Sequence, residues 1–274
     1  MKKLVFCVFC VMLIAAGGMA GSAHAAAEIT INGSTTVLPF AQSTAEAFMK
    51  SNPEVRVSVS GSGSGNGAKA LIDGMTTIAS MSREMKQEEI DAAKAKGVNP
   101  VQHVVAVDCI VPIVHPSNPV ANLTVNQLRD IYSGKITNWS EVGGKDSRIA
   151  VIGRDTSSGT YEVWDEKVMK KTPVAPRALI VASSGALVQS VAGNPLSIGY
   201  DSLGYVDPKL VKALDIEGVK GTPETARAGT IATSRLLFMY TDGAPAGDVK
   251  KYLDFLVGED GQKYVAREGF VTLK

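Results

Sequence analysis

The stretch "GRDTSSGTYEVW", residues 153–164, sets one fixed cation four residues ahead of a cluster of small hydroxyls. Arg154 carries planar N–H donors and cannot lose its charge. Ser158 and Thr160 add hydroxyl donors, and Gly159 removes a side chain where a ligand must approach closely. A strand ending near Gly153 and a helix starting at Ser158 or Gly159 would aim unpaired backbone N–H groups, and the positive end of the helix dipole, at the same point. These are the parts of an oxyanion site.

One such loop has a simpler reading, because Ser158 can cap its own helix for about 1 kcal/mol. Three further loops change the balance. "NGSTT" offers Ser34, Thr35 and Thr36 at another helix start, "GSGSGNG" offers Ser64 and Gly65 before "AKAL", and "SMSREM" offers Ser82 and Arg83 before a fourth helix. Each has a capping explanation alone. Four at comparable strand ends, two with arginines, fit a small anion better than four unrelated caps. Phe40, Trp139, Trp164 and the tyrosines do not interleave with these loops as a base-stacking platform would. "GSGSGNG" lacks the Gly-Lys-Ser/Thr ending of a Walker loop and the spacing of a dinucleotide fingerprint.

A phosphate near neutral pH keeps at least one proton, and sulfate keeps none. A carboxylate in the pocket would accept that proton and repel sulfate. Asp108 and Asp155 are the candidates; Asp155 also reads as a turn residue or as a partner holding Arg154 in place. An enzyme is the rival class. No centred G-x-S-x-G elbow occurs, and His103 and His115 stand in no metal-ligand pattern. A secreted serine hydrolase therefore has no local support. No catalytic residue, metal or cofactor is expected.

The elements that must hold these loops follow one local pattern. "EITI", "VRVSV", "TTIAS", "RIAVI" and "RALIVA" each run into a small polar loop and then an amphipathic stretch. Period-2 or β-branched runs read as strands and the stretches after them as helices, an α/β chain with mainly parallel strands. In such sheets ligands gather at the carboxyl ends of strands, where these loops lie. "HVVAVDCIVPIVHPSNP", broken by Asp108, and "PLSIGYDSLGYVDP" read as crossings between two lobes. The expected division is 28–107 plus 206–274 for lobe 1 and 108–205 for lobe 2. In the C-terminal stretch Tyr252, Phe255 and Leu256 share a helical face that should pack on lobe 1.

The chain opens with Lys2 and Lys3, an apolar run from Leu4 to Ala16, and "SAHAAAE". That is the layout of a secretory signal peptide over residues 1–25, with cleavage expected at 25–27. The run is too short to span a bilayer, which takes roughly 20 residues. Cys7 and Cys10 lie within it, so no lipoprotein cysteine stands at the cleavage site, and Cys109 alone remains, read as a small buried hydrophobe. Without Lys2 and Lys3 the charge balance is 26 bases against 27 acids, a net −1. Nothing in it suggests a nucleic-acid surface.

"INGSTTVLP", "GSGSGNGAKAL", "IASMSREM", "NLTVNQLRDIYSGKITNWSEVGG", "GRDTSSGTYEVW", "SIGYDSLGY" and "EDGQKYVAREGFVTL" run through nearly the whole chain in one order. In this the chain resembles the periplasmic phosphate-binding proteins of ABC importers, the PstS-like group. The resemblance implies a type II periplasmic-binding-protein fold, two α/β lobes joined by two crossing strands, with inorganic phosphate in the cleft. It implies a monomer in the periplasm that delivers its ligand to permease subunits in the inner membrane. By position, Thr35 and Thr36 fall on the first phosphate loop, Ser64 on the second, Ser82 and Arg83 on the third, and Arg154, Ser158, Gly159 and Thr160 on the loop from the other lobe. Some members carry an aspartate in the third loop where this chain has Arg83. The departure leaves room for another tetrahedral oxyanion: sulfate, arsenate or a phosphonate. Arg83 either donates to the anion, the expectation favoured here because it follows Ser82, or lies at the cleft rim and pairs with a lobe-2 acid on closure. "IYSGKITNW" is expected to be a lobe-2 helix and turn packing through Ile131 and Trp139.

Overall fold

The computed structural model describes residues 27–274; the expected signal peptide and its cleavage site lie outside them. Eleven strands and nine α-helices follow in the order β1 (Ala27–Gly33), α1 (Leu38–Ser51), β2 (Val55–Gly61), α2 (Ser64–Ile72), β3 (Ile78–Met81), α3 (Gln87–Ala95), β4 (Pro100–Val114), β5 (Asn122–Leu123), α4 (Val125–Ser133), β6 (Ala150–Arg154), α5 (Gly159–Trp164), β7 (Leu179–Val181), α6 (Ser184–Ala192), β8 (Ser197–Ser202), β9 (Lys212–Ala213), β10 (Asp215–Ile216), α7 (Pro223–Arg227), β11 (Ser234–Asp242), α8 (Gly247–Val257) and α9 (Glu259–Arg267). Each of the five strand–loop–helix units read from the sequence is present: β1–α1, β2–α2, β3–α3, β6–α5 and β7–α6.

One sheet runs through the molecule in the order β2-β1-β3-β11-β4-β8-β6-β7. It is continuous because β4 is long enough to serve two lobes. Its first part, from Pro100 to Cys109, pairs with β11, and its second, from Ile110 to Val114, pairs with β8. The strands that open the helical units are parallel to one another where they pair, as expected, but β3 is antiparallel to its other neighbour, β11. β4 pairs antiparallel with both β11 and β8, so the whole sheet is mixed rather than mainly parallel. Strands that carry the chain between lobes must run back past it, and that fixes their direction.

Three hydrophobic cores flank this axis, two in lobe 1, the smaller of them built from Leu71, Met81 and Phe238, and one in lobe 2. Lobe 1 buries Ile29, Ile31, Phe40, Phe48, Val55 and Ile78, with Tyr252 and Leu256 of α8 packed onto them and Phe255 beside them. Lobe 2 buries Leu128, Ile131, Tyr132, Trp139, Trp164 and Tyr200, so the central helix and turn do pack through Ile131 and Trp139. Val211, Leu214, Ile216, Ala226 and Ile231 also belong to this lobe-2 core, and β9 pairs with the lobe-2 end of β4. The boundary expected at 205/206 therefore does not coincide with the packing. The chain touches lobe 1 near Tyr205, returns to lobe 2, and leaves it through β11. Short segments such as β9, β10 and α7 have too little periodicity to reveal this in the sequence.

Candidate functional site

Each hydroxyl loop leaves the carboxyl end of a strand: 34–37 after β1, 62–63 after β2, 82–86 after β3 and 155–158 after β6. The turns are built by local chemistry. Gly33 has φ +142°, and a Cβ there would lie 2.1 Å from the Ser80 carbonyl oxygen, so only glycine lets β1 turn this close to β3. Ser34 Oγ accepts from the backbone of Thr36 (3.1 Å), and Ser158 Oγ caps α5 by accepting from Tyr161 N (3.2 Å). A capping serine accepts through a lone pair and keeps its own O–H to donate. Cap and ligand roles are thus compatible in one residue.

The four loops meet at the seam between the lobes, and Thr35, Thr36, Ser64, Ser82, Arg154, Ser158 and Thr160 are buried there. Arg154, 2% exposed, donates from Nη2 to Thr35 Oγ1 across the seam (3.1 Å) and from Nη1 to Ser184 Oγ (3.0 Å); its Nε is buried without a partner. Thr36 Oγ1 lies 2.9 Å from Thr160 Oγ1, again across the lobes. Ser64 and Ser82 pair through their hydroxyls at 3.2 Å, and Ser82 N donates to Ser64 Oγ (3.0 Å). A Cβ on Gly159 would lie 2.5 Å from Ser64 Oγ and 2.7 Å from Ser82 Oγ. The start of α5 therefore needs glycine to face these two serines across the seam.

Three expectations are corrected. Gly65 gives its N–H to the Ser157 carbonyl of the other lobe (3.0 Å), which makes it part of the seam rather than a free anion donor. Arg83 does not aim at the hydroxyl cluster. Its Nη1 and Nη2 each hold Glu89 at 2.7 Å, and its Nε lies 3.0 Å from Glu162 of lobe 2. Two carboxylates outcompete a hydroxyl loop for a guanidinium, since both hydrogen bonds and charge pairing favour them. Asp108 is also committed. It receives Arg235 Nε (2.9 Å) and Ser202 Oγ (2.7 Å), with Arg235 Nη2 at 2.8 Å. Burial pushes its carboxyl up, and Arg235 pulls it back down. Asp155 behaves as the turn residue it resembles, accepting from Ser157 N (2.9 Å), although its Oδ2 is buried without a partner.

Four residues that sequence reasoning missed complete the site. Arg235 spends Nη1 on Thr160 Oγ1 (3.0 Å) and the Ser82 carbonyl (3.1 Å), so it ties the Thr160 hydroxyl of one lobe to the backbone of the third loop in the other. Tyr205 donates to the Thr35 carbonyl (2.7 Å) and holds the first loop. Ser184, fully buried at the start of α6, accepts from Arg154 and sends its N–H toward Thr35 Oγ1 (3.3 Å). Asp201, 1% exposed at the end of β8, accepts from Ser202 N through Oδ1, while Oδ2 is buried and unpartnered. Burial pushes the Asp201 carboxyl up to about 6, opposed by the charge of Arg154 and by the hydrogen bond from Ser202 N. The one signal available was a charge within an otherwise apolar strand, in "SIGYDS" and "SRLLFMY".

Chemically, the cluster supplies hydroxyl and guanidinium donors from both lobes, with buried unpartnered carboxylate oxygens on Asp155 and Asp201. His103 and His115 lie elsewhere, bonded to Thr241 and Ser117. No group of three His, Cys, Asp or Glu able to hold a metal occurs among the described residues.

The comparisons with known proteins agree with this architecture. The PBP superfamily domain profile matches residues 18–260. The phosphate-binding protein PstS of Bacillus subtilis is 32% identical over 254 residues, 92% of this chain and 83% of that one. A crystal structure from Clostridium perfringens, described as a phosphate ABC transporter substrate-binding protein with bound phosphate, superposes with a TM-score of 0.84 at 36% identity, over 90% of this chain and 100% of its own. An ABC-type phosphate transport receptor from Vibrio cholerae follows at 35% identity and a TM-score of 0.73, over 89% and 99%. With a two-lobed fold, a buried inter-lobe donor cluster and identity at this level along nearly its whole length, the chain belongs to the PBP superfamily and, within it, to the family of PstS phosphate-binding proteins.

Proposed function

We propose that this protein binds inorganic phosphate between its lobes and delivers it to an ABC-type permease. The observation that carries this is the inter-lobe meeting of Arg154 with Thr35 and of Thr160 with Thr36, beside Ser64, Ser82 and Gly159. Donors from both lobes can surround a tetrahedral anion only when the lobes close, so ligand shifts an open–closed equilibrium that exists without it. The ligand set is Thr35, Thr36, Ser64, Ser82, Arg154, Ser158 and Thr160, with the Ser34 hydroxyl in reserve and Arg235, Ser184 and Tyr205 as positioning residues. Asp201 takes the acceptor role first sought in Asp108 or Asp155. The relatives' phosphate-binding and ABC-transport descriptions support delivery to a permease; a periplasmic monomer, released from its signal peptide and binding no nucleic acid, completes the reading.

Charge-assisted donors are worth roughly 1.5 to 3 kcal/mol each before the cost of closure, so micromolar or tighter binding is expected. Calorimetry on protein stripped of bound phosphate tests this at neutral pH. Comparable affinity for sulfate would replace the phosphate reading with a general oxyanion binder.

Gly159→Ala follows from the close approach of α5 to Ser64 and Ser82. The added methyl clashes only when the lobes are closed, because the two serines belong to the opposite lobe. Phosphate affinity should fall by about tenfold or more, while ligand-free stability stays within about 0.5 kcal/mol. Paired titration and thermal melts check both halves; an unchanged affinity would show that α5 does not approach the ligand.

A further inference from the structure

The charges at the cleft rim do more than occupy Arg83. Glu162 lies on α5, two residues after Thr160, and its Oε2 meets Arg83 Nε at 3.0 Å and Lys86 Nζ at 2.8 Å. Both partners sit on the loop after β3 in the opposite lobe. The three residues wall one side of a crevice of about 470 Å³ between the lobes, with Lys167, Ser234 and Arg235 on its other sides. Any motion that brings Thr160 to Thr36 carries Glu162 to Arg83, because one short helix bears both residues.

We propose, on the phosphate-binding reading above, that Glu162 is a positioning residue that latches the closed lobes and slows ligand release. Arg83 is prepared for it. Glu89 holds the guanidinium through two bonds of 2.7 Å within lobe 1, so its side chain is ordered before closure. Pre-ordering lowers the entropy lost when the third partner arrives. In its own lobe Glu162 feels Lys171, but Lys171 is tied to Asp165 at 2.9 Å. Together Arg83, Lys86, Glu89 and Glu162 balance to zero. Of these four, lobe 1 contributes one excess positive charge and lobe 2 one negative; Lys86 also lies 3.9 Å from Glu88 of its own lobe. Arg83 is 7% and Glu162 16% exposed at the side chain, so salt weakens this attraction without abolishing it.

The latch predicts a specific kinetic signature. Glu162→Gln should release phosphate about three- to tenfold faster at low salt, with association changed by less than about twofold. Raising salt should accelerate release from the wild type and leave Glu162→Gln nearly unmoved. Adding Lys86→Met to Glu162→Gln should cause little further loss, since the pair is already broken. The carboxylate could instead act only by repelling the anion, and then Glu162→Gln would bind more tightly; that result overturns the proposal.

A second measurement needs no phosphate. Nitroxide labels at Lys94→Cys and Lys145→Cys, both exposed and on different lobes, report the inter-lobe distance in ligand-free protein. The closed fraction should drop with Glu162→Gln and with added salt. If the distance distribution ignores both, the latch is wrong whatever the ligand. If the wild type fails to bind phosphate yet its distances respond, the latch stands and the functional reading falls.

Discussion

Arg154→Ala is expected to weaken phosphate binding by about a hundredfold to a few thousandfold, the largest loss of any single substitution in the site. The residue is 2% exposed and spans the seam, donating to Thr35 from one lobe and Ser184 from the other. Its Nε is buried without a partner, so a donor of fixed charge remains for an anion. Removal deletes a charge, leaves anion oxygens unpaired in a dry pocket, and frees Thr35 and Ser184 to turn away. Each effect opposes the closed form. Ser64→Ala removes one neutral donor from a hydroxyl pair and should lose only about five- to thirtyfold. Fluorescence titration of purified variants gives the order. An Arg154→Ala protein that folds and binds like the wild type would remove the β6–α5 loop from the site.

Asp201→Asn is expected to change selectivity more than affinity. Its carboxyl is fully buried, with one oxygen unpartnered, and burial raises it from 3.8 to about 6. Above that pH the ionised group accepts the proton of phosphate and repels sulfate, which has none to give. Below it the group is neutral and the discrimination fades. Sulfate binding by the wild type should therefore strengthen as pH falls through about 6, the value to which the carboxyl is raised. Asp201→Asn should bind sulfate at all pH values, with phosphate preference reduced by about tenfold to a hundredfold. Stability supplies an independent sign. A raised carboxyl means that the folded protein holds more protons than the unfolded chain between 3.8 and about 6. Ligand-free stability then falls as pH rises through that window, and Asp201→Asn should lose this dependence. Calorimetric titrations with both anions across the window decide the matter. A pH-independent sulfate affinity equal in wild type and variant would return the acceptor role to Asp155, whose Oδ2 is also unpartnered.

The local part of this protein can be read from the order of its residues. A β-branched run followed by a small polar loop and an amphipathic helix needs only near neighbours to form, and all five such units read that way are present. Thr35, Thr36, Ser64, Ser82, Arg154, Ser158 and Thr160, the proposed ligand set, stand out in the sequence because four hydroxyl loops at strand ends, each explicable alone as a cap, point together to one small anion. The tertiary structure decided the pairings. Asp108 meets Arg235 because β4 and β11 place them opposite each other in register, 127 positions apart in the chain. Arg83 turns to Glu89 within lobe 1, and it meets Glu162 only once α5 is brought across the cleft. Residues such as Val211 and Ile231 join the lobe-2 core through segments too short to announce it. With 28 lysines and arginines against 27 acids, spacing offers many partners for each charge. Strand register and lobe closure select among them, because charge pairing inside a protein depends on distance and burial, and neither is written in the order of residues.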